Sequence, residues 1–130
     1  MQYEMVRDFF ASGECQDTVV DMSCGSGLFT RRLALGDNRY RRVVASDYSE
    51  SMLTEARSRY VAAEYDARRK KGDAVEPPAV DFVRLDVANL PFRSNSVDCL
   101  NAAAAMHCWP RVDLGLAEIH RSLKVRFATA

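Results

Sequence analysis

Three times along this chain an apolar run of strand length closes on an aspartate: TVVDM (18 to 22), RVVASD (42 to 47) and DFVRLD (81 to 86). Runs of this kind suit strands buried on both faces, as a parallel sheet requires. Helical patterns follow the first two. Phe29 and Leu33 fall one turn apart in FTRRLAL, and Met52, Leu53, Ala56, Tyr60, Ala63 and Ala67 keep helical spacing after Ser49, a residue type that caps helices. Strand alternating with helix restricts the chain to a mostly parallel α/β sheet with helices on both faces. Ligands in such sheets bind beyond the carboxyl ends of the strands, at the switch point beside strand one. Asp21, Asp47 and Asp86 would gather along that edge.

The remaining segments fit the same plan. Tyr3, Val6 and Phe10 predict a short amphipathic helix over residues 1 to 12. The second long helix should end in ARRKKG, where Arg68 to Lys71 suit the negative end of the dipole and Gly72 the left-handed residue that follows. AVEPPA (74 to 79) is a proline-fixed loop and LPFRSNS (90 to 96) a turn-rich connection. VDCLNAAAAM (97 to 106) predicts a fourth strand, Asp113 a cap for a last helix with Leu116, Ile119 and Leu123 on one stripe, and VRFATA (125 to 130) a fifth strand.

Length and charge exclude several functions. At 130 residues the chain has the size of one domain. Eighteen Lys and Arg balance eighteen Asp and Glu, so the overall charge points to neither nucleic acid nor an anionic membrane. No apolar run approaches the roughly 20 residues of a membrane span, and residues 1 to 12 do not read as a signal peptide, which predicts a soluble intracellular chain. Cys15, Cys24, Cys99 and Cys108 form no C-x-x-C and no paired spacing with the histidines, which argues against a metal site and a disulfide framework. His107 and Cys108, as neighbours in an extended segment, would point to opposite faces and make a poor nucleophile and base pair.

Between the first strand and its helix lies DMSCGSGLFT, and its ligand can be argued from charge. The dinucleotide fingerprint G-x-G-x-x-G has no acid at the end of the strand, whereas here Asp21 stands there and Thr30 replaces the third glycine. A fixed carboxylate would repel a diphosphate. S-adenosyl-L-methionine has a sulfonium and an ammonium but no phosphate, so Asp21 becomes an attraction and the glycines allow close backbone approach. Asp47 is then placed for the ribose hydroxyls and Asp86 for the exocyclic amine of adenine, with Tyr48 and Met52 as apolar walls for the purine.

These residues resemble class I S-adenosylmethionine-dependent methyltransferases of the type-11 group, which includes ubiquinone and menaquinone biosynthesis enzymes. The resemblance rests on VVDMSCGSG, VVASDYSESML, VRLDVANLPFRSNSVDCL and LAEIHRSLK, which span most of residues 18 to 124. MQYEMVRDFF, DYSESML and AAAMHCWP resemble plant and algal chloroplast members. The resemblance implies a Rossmann-like sheet of order 3-2-1-4-5 and a small, apolar or aromatic, quinone- or phenol-like acceptor. It also implies that Asp21, Ser23, Cys24, Gly25 and Gly27 surround the methionine part of the cofactor and that Asp47 holds the ribose. Asp86 and the Val87 backbone N–H would read adenine, and the backbone of Asn101 and Ala102 would line the methionine end. Ser23 stands where the family pattern has a first glycine, a position serine tolerates if φ stays negative.

Methyl transfer asks a protein mainly to hold the acceptor in line with the methyl carbon and exclude water. His107, just past strand four, is the candidate base, ahead of His120, and Trp109 a candidate wall for a flat acceptor. Where the family reads L-K-P-G-G and continues into a further helix and an antiparallel strand pair, this chain reads LKVRFATA and stops. The expectation is a truncated chain lacking the last antiparallel strands. A non-catalytic cofactor-binding or interaction domain and an NAD(P)-binding oxidoreductase domain remain the alternatives.

Overall fold

The structure, a computed structural model, describes residues 2–11, 17–36, 40–71, 78–102 and 105–125. In chain order the elements are α1 (Gln2–Ala11), β1 (Thr18–Met22), α2 (Leu28–Leu35), β2 (Arg42–Asp47), α3 (Glu50–Lys71), β3 (Ala79–Arg84), β4 (Cys99–Asn101), a single 3-10 turn (Met106–Cys108) and α4 (Val112–Ser122). The four strands form one parallel sheet of order β3-β2-β1-β4. The chain winds outward from β1 to β3 and then returns to β1's other side, so the switch point lies between β1 and β4.

Alternation along the strands divides the core. Val19, Val43 and Cys99 face α1, α2 and α3, packing with Tyr3, Phe10, Leu33, Ala34 and Tyr60. Val20, Met22 and Val44 face the opposite way and join Leu85, Leu90, Val97 and Trp109, with Ile119 and Leu123 of α4 against them. The expected amphipathic first helix is present, its Tyr3 hydroxyl donating to the Arg32 carbonyl at 3.0 Å. Ser49 caps α3 through a 3.3 Å bond from the Met52 N–H. On the other face, Glu118 accepts from the Leu90 N–H while Arg121 donates to the Leu90 and Phe92 carbonyls, which pins the 90 to 96 connection to α4.

Several expectations need correction. The third strand runs over Ala79–Arg84 rather than 81 to 86, because its length is matched to β2, with Ala79 beside Arg42 and Arg84 beside Asp47. β4 is described over Cys99–Asn101, with Ala102 beyond it and Met106 in the 3-10 turn; Ala103 and Ala104, also placed in the expected strand over 97 to 106, lie outside the described residues. His107 and Cys108 therefore lie in that turn and not in an extended segment. Asp113 lies in the first turn of α4 rather than at its cap. Arg111 occupies the cap position, and the two side chains pair at 2.7 Å. Leu116 is exposed while Gly115 and Ser122 face inward. Cys99 is disulfide-bonded, contrary to the expectation of unpaired cysteines, whereas Cys24 and Cys108 are free. The predicted fifth strand falls, apart from Val125, outside the described residues, as do Cys15 and Gly72. Among the described residues no helix is long and apolar enough to cross a membrane, and no cluster of metal-ligating side chains occurs.

Candidate functional site

At the carboxyl ends of β1 and β2 the chain makes a turn that an ordinary backbone cannot. Ser23, Gly25 and Gly27 take φ values of 55°, 56° and 84°. The turn is bound to the neighbouring strand by the Cys24 N–H, which donates to the Ser46 carbonyl at 2.8 Å. Gly27 is required twice over, since a methyl group there would also come within 3.0 Å of Ala56 Cβ, where α2 crosses α3. Ser23 does not keep the negative φ expected of it, and an L-residue in the left-handed region costs about 1 to 2 kcal/mol.

Asp21 sits beneath this turn with 3% of its surface exposed. One carboxylate oxygen accepts from Thr30 Oγ1 at 2.6 Å, the other from Asn101 Nδ2 at 3.2 Å. The second bond follows from register, because Asp21 and Asn101 are direct neighbours across β1 and β4. Burial pushes the Asp21 carboxyl up to about 6, against the two hydrogen bonds that favour its ionised form. Its role is therefore to brace the turn and supply a buried negative field; its oxygens are already engaged. Thr30, treated in the sequence only as a missing glycine, is fully buried and acts as the partner of this acid.

Asp47 ties the turn to β2. Its Oδ2 accepts from the Gly25 N–H at 3.0 Å and its Oδ1 from the Ser49 N–H at 2.9 Å. Asp86, beyond the end of β3, is exposed and accepts from the Ala88 N–H at 2.9 Å. Tyr48 stands 67% exposed, its ring under the Arg84 guanidinium at 5.0 Å. Burial, and then the nearby Asp21 and Asp47, push the Cys24 thiol up to about 12, so this cysteine is not a nucleophile at neutral pH.

A cleft of about 440 Å³ opens between these groups, lined by Met22, Ser23, Asp47, Tyr48, Leu85, Asp86, Val87, Cys108, Trp109 and Pro110. Of the sequence candidates it gathers Ser23, Asp47, Tyr48, Asp86, Val87 and Trp109. Asp21, Cys24, Gly25, Gly27, Met52, Asn101 and Ala102 lie outside its lining, Gly25 being bonded to the lining residue Asp47 and Asn101 to Asp21. His107 is exposed and also outside the lining, although its neighbours Cys108 and Trp109 are part of it. Two carboxylates face the cleft and none of its lining residues is basic.

Sequence comparison agrees with this geometry. The methyltransferase-domain family matches residues 20–126. The chain is 41% identical over 123 residues to an uncharacterized chloroplastic methyltransferase of Arabidopsis thaliana, covering 95% of this chain and 32% of that protein. It is 32% identical over 106 residues to the ubiquinone/menaquinone biosynthesis C-methyltransferase UbiE of Rhizobium rhizogenes, covering 82% of this chain and 37% of that one. A Methanococcus maripaludis protein shares the fold with a TM-score of 0.72 at 21% identity, over 94% of this chain and 50% of the other. The chain thus spans about a third of the length of these curated relatives. With the family's match covering most of its length and the glycine turn, acids and sheet order in place, the chain belongs to the methyltransferase-domain family.

Proposed function

We propose that residues 1 to 130 form one domain that binds S-adenosyl-L-methionine in the cleft beyond β1, β2 and β3 and serves methyl transfer to a small, flat, apolar acceptor of quinone or phenol type. The observation that carries this proposal is the charge of the cleft: Asp47 and Asp86 face it without a basic residue among its lining, an environment that disfavours a pyrophosphate and suits a cationic nucleoside. The volume of about 440 Å³ lies in the ordinary range for a small-molecule site. Asp47, already fixed by the Gly25 and Ser49 amides, is preoriented to accept from the ribose hydroxyls. Asp86 and the Val87 backbone would read the adenine edge, with Tyr48 and Leu85 as apolar contacts. The left-handed turn leaves space beside Gly25, where a methyl group would meet nothing within 4 Å, so a ligand's amino-acid end can approach the backbone.

The cofactor supplies an electrophilic methyl group with a neutral leaving group. The chain's own task is to bind, orient and exclude water. Trp109 would shield the acceptor end, and the quinone-related relatives supply the acceptor class. His107 as base has weaker support, since its side chain faces solvent. Two related Arabidopsis thaliana proteins are named as chloroplastic, which supports a chloroplast location. Calorimetric titration of the folded chain with S-adenosylhomocysteine and with NADH tests the reading. Micromolar binding of the first supports it; a preference for NADH, or no binding of either, contradicts it.

A further inference from the structure

Ser23 carries a strain that the turn itself does not need. The backbone bonds around it, from the Cys24 N–H to the Ser46 carbonyl and from the Gly27 N–H to the Cys24 carbonyl, use atoms that a glycine chain would supply equally well. Glycine would take the φ of 55° without cost. What serine adds is a hydroxyl, and that hydroxyl accepts a hydrogen bond from the Trp109 indole Nε1–H at 3.2 Å. A buried indole N–H without an acceptor is costly, and Trp109 is only 9% exposed. The rest of its ring is held by α4. A methyl group on Gly115 would lie 2.8 Å from Trp109 Cε3 and 3.3 Å from Val87 Cγ2, so the ring occupies a slot that exists because residue 115 has no side chain.

From these contacts we infer that Ser23 is a positioning residue: its hydroxyl latches Trp109 to the glycine turn and so sets the wall of the cleft. The inference rests on the cofactor reading above for its functional meaning, and it changes the expected role of Ser23 from a cofactor contact to the support of the opposite wall. The turn that would receive the cofactor and the ring that would shield the acceptor then move as one unit. In a chain with glycine at this position the ring would keep its slot against Gly115 but lose its tether to the turn.

Trp109 is the only tryptophan of the chain, so its fluorescence reports this wall without a ligand. The experiment compares acrylamide quenching and thermal midpoint in the wild type, Ser23→Gly and Ser23→Thr, and records thermal midpoint and S-adenosylhomocysteine affinity in these three and in Trp109→Phe, which has no tryptophan to quench. In Ser23→Gly, quenching should rise severalfold as the untethered ring opens to solvent, while relief of the left-handed strain offsets the lost hydrogen bond and the thermal midpoint holds. Ser23→Thr keeps the acceptor but adds a β-branched side chain in the left-handed region, so it should lower the midpoint and retain the wild-type quenching. S-adenosylhomocysteine affinity in the same proteins tests the cofactor reading separately, because Ser23 and Trp109 both line the cleft, and it does not decide the latch. Quenching that is unchanged in Ser23→Gly, or that follows the thermal midpoint through the series, overturns the latch. Failure of every form to bind S-adenosylhomocysteine contradicts the cofactor reading and leaves the quenching result to decide the latch.

Discussion

On one side of the cleft, Asp21 and Asp47 have each carboxylate oxygen engaged, by Thr30, Asn101 and the amides of Gly25 and Ser49. On the other side, the Met106–Cys108 turn reaches the core through Ala105 and Trp109, and His107 stands in solvent. The first wall is built from backbone donors and acids fixed by strand register, and the second hangs on one aromatic ring. A network with every partner satisfied is rigid and loses much when one member is removed. The second wall is tied to the turn by the hydrogen bond from Trp109 to Ser23, so altering it disturbs the turn less than removing one of the acids would. That contrast separates a preformed half, where we propose that the cofactor binds, from an adaptable half, where we propose that the acceptor does.

The largest expected effect falls on the rigid wall. Asp47→Ala removes the acceptor for two amides and the group proposed to hold the ribose, and should weaken S-adenosylhomocysteine binding by about 100-fold in calorimetry. An effect below tenfold would break the claim that this wall is the cofactor half. Asp21→Asn comes next and sharpens how the wall is held. The Asp21 carboxyl, raised from 3.8 to about 6, keeps its proton in the folded chain at pH values where the unfolded chain has released it. Its contribution to stability is therefore fully present below pH 3.8 and lost as pH rises through about 6. Asparagine preserves a partner for both Thr30 and Asn101, so at pH 7.5 the variant should be more stable than the wild type by up to about 3 kcal/mol. Denaturant titrations at pH 4 and 7.5 should show this difference shrinking at the lower pH. A variant equally destabilised at both would mean that the carboxylate is needed for the fold.

Gly27→Ala meets both a left-handed backbone and the Ala56 contact, and should destabilise by about 1 to 3 kcal/mol in chemical denaturation. Smallest is His107→Ala on the opposite wall: S-adenosylhomocysteine affinity should change less than about twofold, since this side chain has no contact with the cleft. If it also lowers methyl transfer to a quinol by about 100-fold, His107 acts as a base and the acceptor half is more specialised than one ring.

The sequence made the rigid wall legible and the other wall only in outline. Apolar runs ending in Asp21, Asp47 and Asp86 predict strands and their ligand edge because burial and strand length act locally. The glycine turn is visible because only small residues tolerate its backbone. Thr30 as partner of Asp21 was missed, since that contact depends on α2 returning over β1. The place of Asp86 past its strand depends on the length of β2, which no local pattern in 79 to 86 contains. The Ser23 and Trp109 contact joins positions far apart in the chain, and the inward turn of Gly115 is set by the ring it accommodates. Met106 reads as part of the fourth strand by apolar content alone, although it opens the 3-10 turn.

Amide chemical-shift mapping with S-adenosylhomocysteine tests the location of the cofactor half most directly. The account predicts shifts concentrated at Ser23, Gly25, Gly27, Asp47, Tyr48 and Val87. Shifts confined to the separate hollow between α3 and β3, around Glu50, Arg57 and Arg84, would contradict it.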